Sequence, residues 1–165
     1  MKKLISISLL FLAFLCVNCA KVNFPEGIDG KFEVKDMNQV CSRTGTQDAG
    51  VQCLRVAAEN STRDKAFGLA KKYAVAAVLL RGVSGTHSAT QNPLISRADQ
   101  DNHGKWINKF FESGDYLKYL EQADIEPNEV FTIKGGYRVG INAKVAYESL
   151  NRHLMDEGII EKPRF

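Results

Sequence analysis

The chain has 165 residues, 44% of them hydrophobic and 25% charged. This composition suits one globular domain with its own core and excludes disorder throughout. Its 22 basic and 19 acidic residues leave a net charge of +3; removing residues 1–18, which carry Lys2 and Lys3, leaves 20 against 19, or +1, too little to hold a phosphate backbone, so no nucleic-acid partner is expected.

Lys2 and Lys3 precede a 12-residue run, Leu4 to Leu15, that is apolar but for Ser6 and Ser8. That is too short for the ~20 residues of a spanning helix and fits the hydrophobic part of a secretory signal. The run ends Leu15-Cys16-Val17-Asn18-Cys19-Ala20. This resembles a bacterial lipobox, with Asn18 where Gly, Ala or Ser is usual. The resemblance implies a lipoprotein signal peptide over 1–18, acylation (palmitate) of Cys19 and stable attachment, since each buried CH₂ contributes about 0.8 kcal/mol. Ala20-Lys21 after the cysteine resembles a signal for outer-membrane sorting, giving an outer-membrane lipoprotein of the bacterial cell envelope that faces the periplasm. The other reading is an ordinary signal cut near Ala20, which would release a soluble protein. Residues 19–30, with Pro25, Gly27 and Gly30, read as a tether, residues 31–158 as a single α+β domain and 159–165 as a loose tail.

Loss of Cys16 and acylation of Cys19 leave Cys41 and Cys53 to each other. A secreted setting permits their disulfide, with a stabilisation of about 3 kcal/mol in the chain-entropy view. Setting Cys41 opposite Cys53 in an antiparallel hairpin places Val34, Val40, Leu54, Val56 and Ala58 on one face and both cysteines on the other.

A long helix follows from Ser61, read as the cap with Asp64, to Gly82. Ala66, Ala70, Ala74 and Ala77 recur at helical spacing, and residues 73–80 are apolar all round, which predicts a buried helix lying close on a sheet. Residues 82–105 read as a long polar linker. Residues 106–124 read as two short helices broken near Gly114, carrying the aromatic concentration of the chain: Trp106, Phe110, Phe111, Tyr116 and Tyr119. A satellite core and a partner-binding surface are both readings of these rings. "EVFTIKGGYRVGINAKV" is a hairpin turned by Gly135-Gly136. Tyr137, Val139, Ile141, Ala143 and Val145 form its inward face and Arg138, Gly140, Asn142 and Lys144 its wet one. An amphipathic helix with Tyr147, Leu150, Leu154 and Met155 inward stops at Gly158. The expected architecture is an α+β two-layer sandwich: about four mostly antiparallel strands packed by the Ala-rich helix and the C-terminal helix.

The pattern of "VAAEN", an Ala-rich helix, then "GGYRVGINAKVAYESLNRHL" resembles the amino-terminal domain of the bacterial flagellar assembly T protein and its small outer-membrane lipoprotein relatives. "AVAAVLLRGVSG" with "FFESGDYLKYL" is similar to uncharacterised Bacteroidetes-type lipoproteins. These resemblances imply a structural or assembly role and carry no catalytic residues.

Chemistry-bearing residues are sparse. "DQDNHG" at 99–104 lacks a full calcium-loop pattern. His87 beside Ser84 and Ser88 has no nucleophile elbow, and His153 suits a helix C-terminus. No metal, cofactor or catalytic residue is expected. The expected function is non-catalytic binding or scaffolding with an envelope protein partner. The other reading is a small envelope hydrolase or ligand-binding protein using residues 83–105, with His87 or His103.

Overall fold

A computed structural model describes Pro25, Ile28 and residues 33–36, 50–83 and 92–162. Residues 1–18, read above as a signal peptide, and Cys19, Cys41 and His87 lie outside the described residues. Strands β1 (Glu33–Asp36), β2 (Gln52–Asn60), β3 (Leu120–Ile133) and β4 (Gly136–Val145) form one antiparallel sheet in the order β1-β2-β4-β3. Helix α1 (Arg63–Ala76) runs on into a π turn (Ala77–Arg81). Then come α2 (Arg97–Asn102), α3 (Gly104–Glu112), a 3₁₀ turn (Asp115–Tyr119) and, after the hairpin, α4 (Tyr147–Asp156). The expected α+β architecture, an antiparallel sheet of four strands with helices, is the one the chain adopts.

Period-two patterning positions the sheet. The rungs Leu54↔Ala143, Val56↔Ile141 and Ala58↔Val139 point into the core, each side chain no more than 4% exposed. Tyr137, placed inside by parity, is 37% exposed. It sits at the hairpin end of β4, on the last rung with Asn60 of β2 and opposite Thr132 of β3.

The β1–β2 register differs from the one drawn from the cysteines. Val34 faces Val56 and Asp36 faces Leu54, a position sum of 90, where Cys41 opposite Cys53 would require 94. An even offset preserves faces, so Val34 keeps the face of Val56 although its cross-strand partner changes.

Helix α1 lies over β2 and β4. Its cap is Thr62 rather than Ser61: the Lys65 amide donates to Thr62 Oγ1 at 3.2 Å. Ala66, Ala70, Ala74 and Ala77 are wholly buried, and their single-methyl side chains let the helix backbone sit near the sheet. All residues from Tyr73 to Leu80 are buried.

The buried end of this helix leaves carbonyls that water cannot reach, and each needs a donor. Gly82 N–H donates to Ala77 O, five residues back, at 2.8 Å. Gly82 itself has φ 81 and ψ 164, a region essentially restricted to glycine. Val78 O then accepts from Leu94 N at 3.1 Å and Leu79 O from Ile95 N at 3.0 Å. Leu80 O accepts from the Gln100 side-chain amide at 2.8 Å. The segment read as a polar linker is therefore partly structural. It returns to close the helix end and forms α2, whose N-cap Ser96 accepts from Asp99 N and donates to its carboxylate.

Three boundaries are corrected. β3 begins at Leu120, so residues 120–124 extend the sheet instead of ending a helix; pairing with β4 overrides their helical spacing. Ile28, placed in the tether, is 5% exposed and belongs to the core. Ile159, placed in the tail, is 7% exposed. It follows Gly158 (φ 69) and donates its N–H to Leu154 O at 2.9 Å, the close of a Schellman cap whose apolar residue folds back on the helix.

Candidate functional site

Of the five aromatic residues expected at a partner surface, the structure buries Phe110 and Phe111 (3% exposed each) and Tyr116 (6%). They pack as core: Phe110 meets Phe111 edge-on at 5.4 Å and Phe111 meets Tyr116 at 5.5 Å. This corrects the assignment of Phe111 and Tyr116 as open contact residues, whereas Phe110 is both core and part of the cavity lining described next. Their helical spacing and the αL break at Gly114 (φ 82) turn them toward the sheet, where their apolar area is removed from water. Trp106 and Tyr119 stay half-buried, and around them a cavity opens.

The cavity has a volume of about 240 Å³ and is lined by Trp106, Lys109, Phe110, Asp115, Lys118, Tyr119, His153 and Glu157. Three elements supply these side chains. On α3, Trp106 and Phe110 are one helical turn apart and stack at 4.9 Å with 13° between planes, the (i, i+4) neighbourhood of a helix. The 3₁₀ turn brings Tyr119, whose carbonyl accepts from Ala146 N at 2.9 Å and so ties the turn to the start of α4. α4 brings His153, whose ring lies 5.5 Å from Tyr119, 6.0 Å from Trp106 and 6.5 Å from Phe110. The result is a wall of four rings packed on one another. His153, expected only as a charge at a helix end, is one of them.

The rim is charged. Lys118 Nζ donates to Asp115 Oδ1 at 2.6 Å, and Ser113 Oγ donates to Asp115 Oδ2 at 2.6 Å. These bonds hold the Asp115 carboxyl below its ordinary range, the Lys118 bond most of all, while Asp115 raises the Lys118 ammonium. Burial, the largest of its causes, raises the Tyr119 phenol. Lys109 and Glu157 reach the cavity without an ion-pair partner among the described residues. Two lysines and two carboxylates bring the formal charge of the lining to zero. Sequence reasoning located three of these residues, Trp106, Phe110 and Tyr119, by the density of aromatics. Lys109, Asp115, Lys118 and Glu157 carry no signal beyond ordinary surface charge until the three elements are assembled.

Burial also raises the Tyr116 phenol. In the unfolded chain it ionises near 10.0; in the native protein it keeps its proton to higher pH. The folded state therefore has its full stability below pH 10 and loses it as pH rises through the raised native value. The urea midpoint is expected to fall between about pH 9 and pH 11, and less steeply in Tyr116→Phe. Equal slopes for the two proteins would refute the assignment.

The opposite face of the sheet is built differently. Between Ile125↔Ile141 and Val130↔Val139, four residues of β3 bulge across Gly140 alone. A Cβ on Gly140 would stand 2.5 Å from that of Glu129. The bulge carries Glu126 and Glu129 onto Arg55, at 3.5 and 3.7 Å. Arg55 also donates to Asn142 at 3.3 Å. Arg138 is held by Glu33 at 2.8 Å and Glu59 at 3.5 Å. Cys53 lies on this face, 4% exposed and disulfide-bonded; its expected partner, Cys41, falls outside the described residues. His103 sits at the junction of α2 and α3, where its amide donates to Asp99 O. Among the described residues no three His, Cys, Asp or Glu side chains gather as a metal site, and no helix is long and apolar enough to cross a membrane. No family model matches this chain, and no curated protein or solved structure matches it either.

Proposed function

We propose that this chain is an outer-membrane lipoprotein of the cell envelope, anchored through Cys19 and facing the periplasm, that works by non-catalytic binding in the cavity between α3, the 3₁₀ turn and α4. The observation that carries the binding reading is the stacked wall of Trp106, Phe110, Tyr119 and His153 behind a charged rim. Such a mixed lining on regular elements suits recognition. The mutual bond of Asp115 and Lys118 moves both groups away from neutrality, so neither suits proton transfer near pH 7. The envelope assignment is supported by the lipobox-like "LCVNCA", by the resemblance to envelope lipoproteins and by the disulfide-bonded state of Cys53, which suits an oxidising compartment; the reading gives it Cys41 as partner.

A photo-crosslinking amino acid at position 109, on the cavity mouth, is expected to capture an envelope component in cells, and one at position 72, on α1, to capture none. A fatty-acid analogue is expected to label the wild type and not Cys19→Ala. No adduct from position 109 refutes the binding site; unchanged labelling of Cys19→Ala refutes the anchor. Turnover of an envelope substrate that is lost in His87→Ala or His103→Ala would replace this reading with the hydrolase one.

A further inference from the structure

We infer that the occupant of the cavity is a neutral saccharide unit of one or two rings. This inference rests on the binding reading above and adds the ligand class.

Size sets the first bound. At about 240 Å³ the cavity lies below the roughly 300–1,000 Å³ of pockets for drug-sized ligands. It suits a single ring or a pair, not an extended chain of polymer.

Charge sets the second. A cation would gain from Asp115 and Glu157 but face Lys109 and Lys118, and an anion would meet the reverse. A lining whose formal charges cancel favours neither. Its polar groups nevertheless need partners, because a charged or polar side chain covered by a ligand that cannot hydrogen-bond loses its water without replacement. A flat hydrocarbon ring would stack well and leave the rim unsatisfied.

A sugar meets both demands. Each hydroxyl donates once and accepts twice, so the same ring can accept from Lys109 and Lys118 and donate to Asp115, Glu157 and the Tyr119 oxygen. Asp115 retains accepting capacity beyond its bonds to Lys118 and Ser113. The C–H groups of one sugar face carry partial positive charge and suit the electron-rich faces of Trp106 and Tyr119. Phe110 lies 4.9 Å from Trp106 and His153 5.5 Å from Tyr119, so the stack holds both rings in place before any ligand arrives. Preformed geometry spares a weak ligand the entropy of ordering its site.

The test uses a convenience of this chain. Trp106 is its only tryptophan and lines the cavity, so fluorescence excited at the red edge, where tyrosine scarcely absorbs, reports on that site alone. The full-length lipoprotein, in micelles of a detergent without a sugar headgroup, is titrated with N,N′-diacetylchitobiose (called chitobiose below), maltose, choline and benzoate. A saturable fluorescence change with chitobiose or maltose is expected, unmoved by salt because the ligand is neutral, and absent with choline and benzoate. Chitobiose alone would identify an N-acetylated envelope glycan, and maltose alone an α-glucan. Glu157→Gln and Tyr119→Phe are each expected to weaken binding about tenfold, some 1.4 kcal/mol, with the urea midpoint unchanged. No response to either disaccharide, or saturation by choline or benzoate in their place, overturns the saccharide inference. An adduct from position 109 in that event would leave the binding reading standing; its absence as well would remove both.

Discussion

Gly136→Ala is expected to destabilise the domain by about 3 kcal/mol, at the upper end of what overpacking does, while the same substitution at Gly68 stabilises it. Gly136 opens β4 directly after the hairpin turn. A Cβ there would stand 2.1 Å from Asn60 O and 3.0 Å from the Ser61 Cα. Both are backbone atoms at the point where β2 ends and the chain turns into α1, so relief requires moving the strand or the helix start. Gly68 lies inside α1 with nothing within 4 Å of its would-be Cβ. Replacing it with alanine removes a helix-interior glycine and is expected to stabilise by about 0.5–1 kcal/mol. Urea unfolding of the two variants beside the wild type measures both. Midpoints shifted in the same direction would refute the close approach of the hairpin to the β2–α1 corner.

The second large effect is expected at Gln100. Its side-chain amide donates to Leu80 O at 2.8 Å and Ile95 O at 3.0 Å, and the residue is 3% exposed. Gln100→Leu keeps the bulk and removes the donor. Two buried carbonyls, one at the end of the π turn and one in the returning strap, then lose that partner. Each unsatisfied group costs about 1–3 kcal/mol, so a loss of about 2–4 kcal/mol is expected. The Gln100 side-chain oxygen is itself buried without a partner, and removing it offsets part of the loss. Amide hydrogen exchange locates the effect: protection is expected to fall at Leu94, Ile95 and Gly82, which close the helix end, before it falls in β2 or β4. Uniform loss across the sheet would show that Gln100 does not act locally.

These residues show what was legible in the chain. The alternation of Val139, Ile141, Ala143 and Val145 and the alanine spacing of α1 led directly to the buried faces, because burial on a strand or helix follows from the period of the element alone. The even parity of the β1–β2 pairing was legible for the same reason, although its register was not. Parity constrains which face a residue takes, while the register of β1 depends on which rungs pair best, and the cysteines do not decide it.

Other features had no local signature. Residues 120–124 read as helix and became strand because β4 offered them a partner. Ile28 and Ile159 read as appendages and became core, since an isolated apolar residue near a terminus declares nothing about whether a cavity awaits it. The aromatic run from Trp106 to Tyr119 stood out in composition, but sorting it into core rings and cavity rings required the positions of α4 and the sheet.

Short-range pattern in this chain decides element type, the inward face and the alanine-lined contact of α1, since neighbouring residues along one element set those properties. Tertiary structure decides the site. Lys109 and His153 lie 44 positions apart and Trp106 and Glu157 lie 51 apart, and they line one cavity because core packing and the bond from Ala146 N to the Tyr119 carbonyl bring α3, the 3₁₀ turn and α4 together. Long-range proximity of that kind follows from how the layers stack, and no local pattern along the chain encodes it.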